Sequence, residues 1–266
     1  MKEEILSALP ENHPWRNTIH CFDSLPSTND LAKTMAAQGA PEGTVLVAAQ
    51  QTAGRGRMGR SFYAPAGLGL YLSVILRPDC TAEQLLHLTC GAAVAVCDGI
   101  DQCVGIRPKI KWTNDLVIGC KKLGGILTEL SVNTKTGKVE WAVIGIGINC
   151  CHNTQDFPPQ LQSMATSLLL ETKNKCSPAK LAAYITCSLH TLSIDLLTQK
   201  RRIMDNYRND CMTVNSQVML LHADRKYYGT ALDIDNDGGL VVQFDDGQIH
   251  TVQTGEISVR GLYGYV

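Results

Sequence analysis

In this chain of 266 residues the strongest chemical signal is the segment Gln50-Gln51-Thr52-Ala53-Gly54-Arg55-Gly56-Arg57-Met58-Gly59-Arg60. Its glycines let backbone N–H groups come close to a ligand, because no Cβ stands in the way. Arg55, Arg57 and Arg60 add permanent charge and forked donors that match phosphate and carboxylate oxygens. The spacing spells G-x-G-x-x-G, but a dinucleotide site needs a helix directly after the glycines, with its N-terminus facing the pyrophosphate. Arg60-Ser61-Phe62-Tyr63-Ala64-Pro65-Ala66-Gly67 follows instead, and a regular helix does not cross Pro65. The G-K-[ST] ending of a Walker A loop is missing as well. Two readings stay open: a loop that closes over a small anionic ligand, or a solvated basic turn.

Two further segments could carry chemistry. Lys111-Trp112-Thr113-Asn114-Asp115 places a lysine at the end of an apolar strand, either facing a ligand or simply ending the strand at the surface. Gly145-Ile146-Gly147-Ile148-Asn149 puts two glycines on one face of a strand. They leave a floor on which a ligand can lie, or they allow tight packing of a neighbour. The Asn149 amide, with donors and an acceptor, suits an adenine edge. No Ser-His-Asp or Cys-His arrangement stands out, and the 7 histidines show no metal-ligand spacing. The 11 cysteines form no C-x-x-C pair, and Cys150–Cys151 are adjacent. They read as reduced thiols of a cytosolic protein.

The elements that must position these residues follow from periodicity and punctuation. Ser27–Gln38 reads as a helix opened by the capping box Ser27-Thr28-Asn29-Asp30 and stopped by Gly39. Thr44–Gln50 and Leu68–Leu76 read as buried strands, with the arginine segment as the loop between them. A second capping box, Thr81-Ala82-Glu83-Gln84, predicts a helix to about Asp98. Strands are expected at Lys109–Trp112, Gly125–Leu130 and Val139–Ile148, with turns at Asn114-Asp115, Gly119-Cys120-Lys121 and Lys135-Thr136-Gly137-Lys138. Ser177-Pro178 opens one long helix to about Asn206. Beyond about Met212 the texture changes to valine-rich short strands: Val218–His222, Tyr228–Ile234 and Leu240–Phe244. Ala223-Asp224-Arg225-Lys226, Asn236-Asp237-Gly238-Gly239 and Asp245-Asp246-Gly247 read as turns between them, a pattern that indicates a small β-barrel. The expected division is a short N-terminal segment 1–20, a catalytic domain 21–212 and a C-terminal domain 213–266.

Composition narrows the function class. Lys plus Arg is 24 against 25 for Asp plus Glu, a formal net charge of -1, which argues against a non-specific nucleic-acid binder. The opening MKEEILSALPENHPWRN has no apolar core of a signal peptide. No stretch approaches the ~18 apolar residues that span a bilayer. A cytoplasmic protein with no membrane partner is expected.

Taken together, S-T-N at 27–29, Q-x-A-G-R-G-R at 51–57, K-W-x-N-D at 111–115, K-L-G-G-I-L at 122–127 and G-I-G-I-N at 145–149 resemble the biotin protein ligases, in that family's chain order. The resemblance runs from about Cys21 to the C-terminus, and the chain looks like the short members without an N-terminal DNA-binding domain. It implies an α+β (α/β) fold: a mixed β-sheet with flanking helices, of the class II aminoacyl-tRNA synthetase and biotin ligase type, plus a C-terminal SH3-like small β-barrel. It implies formation of biotinyl-5'-AMP from biotin and ATP with Mg²⁺, then transfer of biotin to a lysine of a biotin carboxyl carrier protein, with acetyl-CoA carboxylase the usual acceptor. Ser27, Thr28, Asn29, Gln51, Gly54, Gly56, Gly125, Gly145 and Gly147 would surround biotin. Arg55, Arg57 and Lys111 would meet its carboxyl and the adenylate phosphate, with Lys111 and Arg57 catalytic. Arg60, Phe62, Asn114 and Asn149 would join the nucleotide side, and no protein metal site is implied. Phe62 stands where the family often has Trp, and Thr113 where Pro is common. A monomer or a homodimer is compatible with the resemblance.

The alternative within the same superfamily is a lipoate or octanoate ligase or transferase, which would need a longer apolar tunnel and no polar ureido partners. A DNA-binding repressor would need a helix-turn-helix domain, and nothing before Cys21 supplies one. The acidic turns of the C-terminal segment (Asp233, Asp235, Asp237, Asp245, Asp246) speak against nucleic acid there.

Overall fold

The computed structural model describes residues 1–222, 225–253 and 258–261. Its larger sheet contains β1 (Ile19–Phe22), β2 (Val45–Ala48), β3 (Gly69–Leu76), β4 (Lys109–Lys111), β5 (Asp115–Ile118), β6 (Lys121–Val132) and β7 (Val139–Asn149), in the order β1-β2-β3-β7-β6-β5-β4. β1 and β2 run parallel and the other neighbours are antiparallel. Every residue of β3 is buried, as expected of an apolar run covered on both faces.

Among the described residues, six helices flank the sheet: α1 (Lys2–Ala8), α2 (Thr28–Ala37), α3 (Leu88–Val104), α4 (Leu168–Thr172), α5 (Pro178–Asp195) and α6 (Lys200–Asp210). On one face, Ala32 and Ala36 of α2 pack on Leu46, Ile75 and Val143. The alternate residues Val45, Val47, Val74, Ala142 and Ile144 face the larger core built with α3, α5 and α6. The period of two along each strand separates these layers.

Several expectations shift. The capping box at Thr81 opens only a short 3-10 turn, Glu83–Leu85, and α3 starts at Leu88. There the Gln84 side chain takes the Thr81 backbone N–H (2.9 Å) and closes the box before a helix begins. The single helix expected from Ser177 is two, because the chain turns between Leu196 and Gln199. Asp115, expected in a turn, begins β5. Within residues 1–20, Ile5, Leu9 and Trp15 are buried in the main core, and Ile19 already belongs to the sheet.

The C-terminal segment forms a five-stranded antiparallel sheet, β11-β10-β9-β8-β12, from β8 (Gln217–His222), β9 (Arg225–Ile234), β10 (Leu240–Phe244), β11 (Ile249–Val252) and β12 (Ser258–Gly261). Ala223-Asp224 of the expected turn lies outside the described residues, and Arg225-Lys226 opens β9 instead. The small sheet is tied to the large one. The Trp112 indole N–H donates to the Gly238 carbonyl (2.8 Å), the Trp112 backbone N–H to the Thr213 hydroxyl (2.9 Å), and the Met212 N–H to the Ile110 carbonyl (2.9 Å).

Candidate active site

A cavity of about 810 Å³ opens between α2, the loop 51–62 and the β4–β7 half of the large sheet. Ser27, Thr28, Asn29 and Gln51 line one part of it; Arg55, Gly56, Arg57, Arg60 and Phe62 come from the loop; Lys111, Asn114, Gly125, Gly145 and Gly147 come from the sheet. Gly54 and Asn149 are not among the lining residues. Gly54 is buried, its carbonyl accepts from Phe62 N–H (2.9 Å), and a Cβ there would meet the Phe62 carbonyl at 2.5 Å. The Asn149 amide donates to the Thr166 carbonyl (3.0 Å), so it fixes the chain leading to α4 rather than facing the cavity. The lining includes residues that sequence reading passed over, among them Trp112, Leu127, Ser163, Met164 and Met219.

The glycines of β7 are built for close approach, but to the protein's own side chains. A Cβ on Gly145 would stand 1.9 Å from Asn29 Oδ1, and one on Gly147 would stand 2.7 Å from the Phe62 ring. Ser73, Gly145 and Leu127 share one register row across β3, β7 and β6. Because Gly145 carries no side chain, the Asn29 amide settles onto this row. Its Nδ2 donates to the Leu127 carbonyl (3.2 Å) and to Glu129 (3.0 Å), and its Oδ1 lies 2.6 Å from Ser73 Oγ.

From there a polar chain reaches α2. Ser73 Oγ lies 2.8 Å from Thr28 Oγ1, and the Gln51 side-chain oxygen accepts from the Thr28 N–H (2.8 Å). Ser27 caps α2 by accepting from the Asp30 N–H (3.4 Å) while also lining the cavity. These donors and acceptors are buried and paired, as such groups must be. The missed members are Ser73 and Glu129. The signal for Ser73 was present: a hydroxyl inside the otherwise apolar run Leu68–Leu76.

The cationic part is unequal. Arg55 is about half exposed, and its Nη1 is 2.5 Å from Asp30 and 3.6 Å from Glu129, with Lys33 bound to both carboxylates (3.0 and 2.8 Å). Partial burial works against ionised Asp30, but the hydrogen bonds from Lys33 and Arg55 outweigh it and hold the carboxyl below its ordinary range. The same bond to Asp30 strengthens the hold of Arg55 on its proton. Arg57 is more enclosed: its Nη1 donates to Thr113 Oγ1 (2.7 Å) and Asn114 Oδ1 (3.0 Å), and burial lowers its affinity for a proton. Lys111 is only 9% exposed and stands in register with Asp115, whose carboxylate accepts from Lys122 (2.5 Å).

The loop itself is a closed hairpin. Gly56 N–H donates to the Arg60 carbonyl (2.7 Å), and Arg55 bridges to Ser61. Met58 (φ 54°) and Gly59 (φ 71°) make the tight turn between them.

Known proteins are similar to this chain in sequence and in fold. The Biotin/lipoate A/B protein ligase family matches residues 21–149, and the Biotin protein ligase C terminal domain matches residues 213–260. The bifunctional ligase/repressor BirA of Bacillus subtilis is 37% identical over 229 residues, 85% of this chain and 69% of its own. The biotin–[acetyl-CoA-carboxylase] ligase of Mycobacterium tuberculosis is 30% identical over 237 residues, 87% of this chain and 85% of its own. Among solved structures, the biotin protein ligase from Aquifex aeolicus in complex with biotin and ATP superposes with a TM-score of 0.76 at 24% identity, covering 91% of this chain and 98% of that one. The enzyme from Leishmania major in complex with biotin gives 0.61 at 26% identity, covering 90% and 99%. With both sequence and fold in agreement across nearly its whole length, this chain belongs to the biotin protein ligase family.

Proposed function

We propose that this protein joins biotin to ATP, forming biotinyl-5'-AMP and pyrophosphate, and then passes biotin to a lysine of a biotin carboxyl carrier protein such as that of acetyl-CoA carboxylase. One observation carries this reading. A buried cage of hydroxyls and amides and a set of fixed cations share a single cavity, as a substrate with a neutral polar head and a reacting carboxylate requires.

In this reading Ser27, Thr28, Asn29 and Gln51 hold the ureido ring. A cage of this kind disfavours a fatty acyl chain, which offers no donor or acceptor to a polar wall. Lys111, with Arg55 and Arg57, stands where the biotin carboxylate meets the α-phosphorus. The carboxylate oxygen forms the new P–O bond as the bond to pyrophosphate breaks. Two anions repel on approach, so fixed charge and alignment do most of the work. The acceptor amine then attacks the acyl carbon, AMP leaves with the shared oxygen, and the amine loses a proton. No covalent enzyme intermediate is needed.

Phe62 and Asn114 belong to the nucleotide side. Arg60, at the loop's exposed end, would reach the nucleotide or guard its entry. Asn149 supports the wall behind the cavity instead of touching adenine. Mg²⁺ would enter with the nucleotide. Asp115 is the lining carboxylate that could meet it, in keeping with an ion held mainly by phosphates. Residues 21–212 are proposed as the catalytic domain and 213–266 as the C-terminal domain, of which 223–224, 254–257 and 262–266 lie outside the described residues. A cytoplasmic enzyme without nucleic-acid or membrane partners completes the proposal; among the described residues, no helix is long and apolar enough to cross a membrane.

The test is incubation with biotin, Mg-ATP and a carrier domain. The expected result is a mass increase of one biotinyl group on one lysine and biotin-dependent pyrophosphate release. A purified, folded protein that forms no adenylate from biotin would refute the reading.

A further inference from the structure

Thr113 takes no part in the proposed contacts with biotin or nucleotide, yet two of its atoms are committed. Its hydroxyl accepts from Arg57 Nη1 at 2.7 Å, and its carbonyl accepts from the Tyr207 hydroxyl at 3.0 Å. The residue is 1% exposed, and Tyr207 on α6 is fully buried. The bond to Arg57 therefore rests on an immobile base. The next residue, Asn114, takes the second Nη1 proton through Oδ1 at 3.0 Å, and its own amide donates to the Ile126 carbonyl at 2.8 Å.

Donor counting shows the consequence. A guanidinium has five N–H donors in a fixed fork. Both donors of Arg57 Nη1 point at the Thr113–Asn114 turn, while those on Nε and Nη2 have no acceptor among the described residues. The edge held by the protein is thus not the side-on edge that grips an oxyanion with two parallel bonds.

We infer that Thr113 is a positioning residue: its hydroxyl holds one nitrogen of Arg57 against the Lys111 strand, so that the loop is docked before ligand arrives and the opposite edge of the guanidinium faces the acyl-phosphate group. This rests on the ligase reading. Its effect falls on retention of biotinyl-AMP, because a loop already docked pays less ordering entropy when it closes.

Thr113→Val keeps the shape and removes the acceptor, Thr113→Ser keeps the acceptor, and Thr113→Ala is a second hydroxyl-free variant should valine disturb the fold. Two quantities are read: amide hydrogen exchange of residues 54–61 in the protein without ligand, and the release rate of biotinyl-AMP from preloaded enzyme. Losing a hydrogen bond to a charged group should speed both by roughly tenfold in T113V, while T113S stays at the wild-type rate. Unchanged exchange in T113V overturns the anchoring, and faster exchange with unchanged release overturns the positioning role. A wild-type protein that makes no biotinyl-AMP would sink the ligase reading and this inference with it, a failure distinct from an active T113V enzyme that behaves as wild type.

Discussion

Replacing Ser73 by alanine removes one oxygen atom that the cavity never exposes, and its effect can be worked out bond by bond. Asn29 spends both amide protons on the Leu127 carbonyl and on Glu129, so its Oδ1 needs a donor. Ser73 Oγ, at 2.6 Å, has the single proton that serves. With that proton committed, the 2.8 Å contact to Thr28 requires the Thr28 hydroxyl to donate to Ser73. Ser73→Ala thus strands Asn29 Oδ1 and frees the Thr28 proton, at residues 4% and 3% exposed. An unsatisfied buried polar group costs about 1–3 kcal/mol, and the Thr28 hydroxyl has the Gln51 oxygen as a substitute acceptor at 3.1 Å. The cost is therefore about 1–3 kcal/mol, a sizeable share of the ~5–15 kcal/mol that holds a domain together. If Thr28 and Asn29 hold the ureido ring, about 1–2 kcal/mol of it should reappear as a roughly 5–30-fold weaker biotin affinity. ATP affinity, measured separately, should change little. Urea denaturation and calorimetric titration with biotin read the two parts. A Ser73→Ala protein with the wild-type urea midpoint and wild-type biotin affinity would refute the proton assignment and the role of the cage.

Four other outcomes are expected. Arg57→Gly should release biotinyl-AMP about 10–100-fold faster, which labelling of lysines on unrelated proteins would register. Lys111→Ala should slow biotin-dependent pyrophosphate release by about 10²–10³-fold while ATP affinity shifts far less; near-normal release would remove Lys111 from the mechanism. Trp112→Phe should cost about 1 kcal/mol of stability through the lost bond to Gly238 and raise the KM of substrates, as thermal unfolding and steady-state kinetics would report. His13 and His152 are held neutral with pKa values of about 4, by burial first, with neighbouring His190 adding to the effect at His13 and Asp156 partly opposing it at His152. The unfolded chain, with histidines near 6.5, binds more protons between about pH 6.5 and 4, so urea-measured stability should fall as pH drops through that window, and His152→Phe should flatten the slope.

The residues legible in the sequence are those whose identity is itself chemistry. Arginines between glycines, a lysine ahead of Trp112, and hydroxyls and amides at 27–29 announce what they can bind, and most of them meet in one cavity. Gly145 and Gly147 announced a close approach but not what approaches; only the pairing of β7 between β3 and β6 shows that Asn29 and Phe62 fill the space. Asn149 sits in the same motif, yet its neighbour Thr166 lies on a segment with no pattern to betray it. Glu129, Thr113 and Tyr207 matter through partners far along the chain, and no local period encodes such a meeting. Strands were legible where the apolar run was continuous, as in β3. Helix limits were less so, because Gln84 closing on Thr81 and the turn at Leu196–Gln199 are decided by side-chain hydrogen bonding and packing.

The bond from Trp112 to Gly238 spans 126 positions of sequence. While the polypeptide is being synthesised, the arginine loop and the lysine emerge long before the turn on which their strand is hung. A nascent chain halted ahead of Asp235 would hold the reacting groups but lack the peg that keeps them in place. A stalled or clipped product would therefore keep the ties through Met212 and Thr213 but not this one, and the strand that carries the lysine gains its last anchor late.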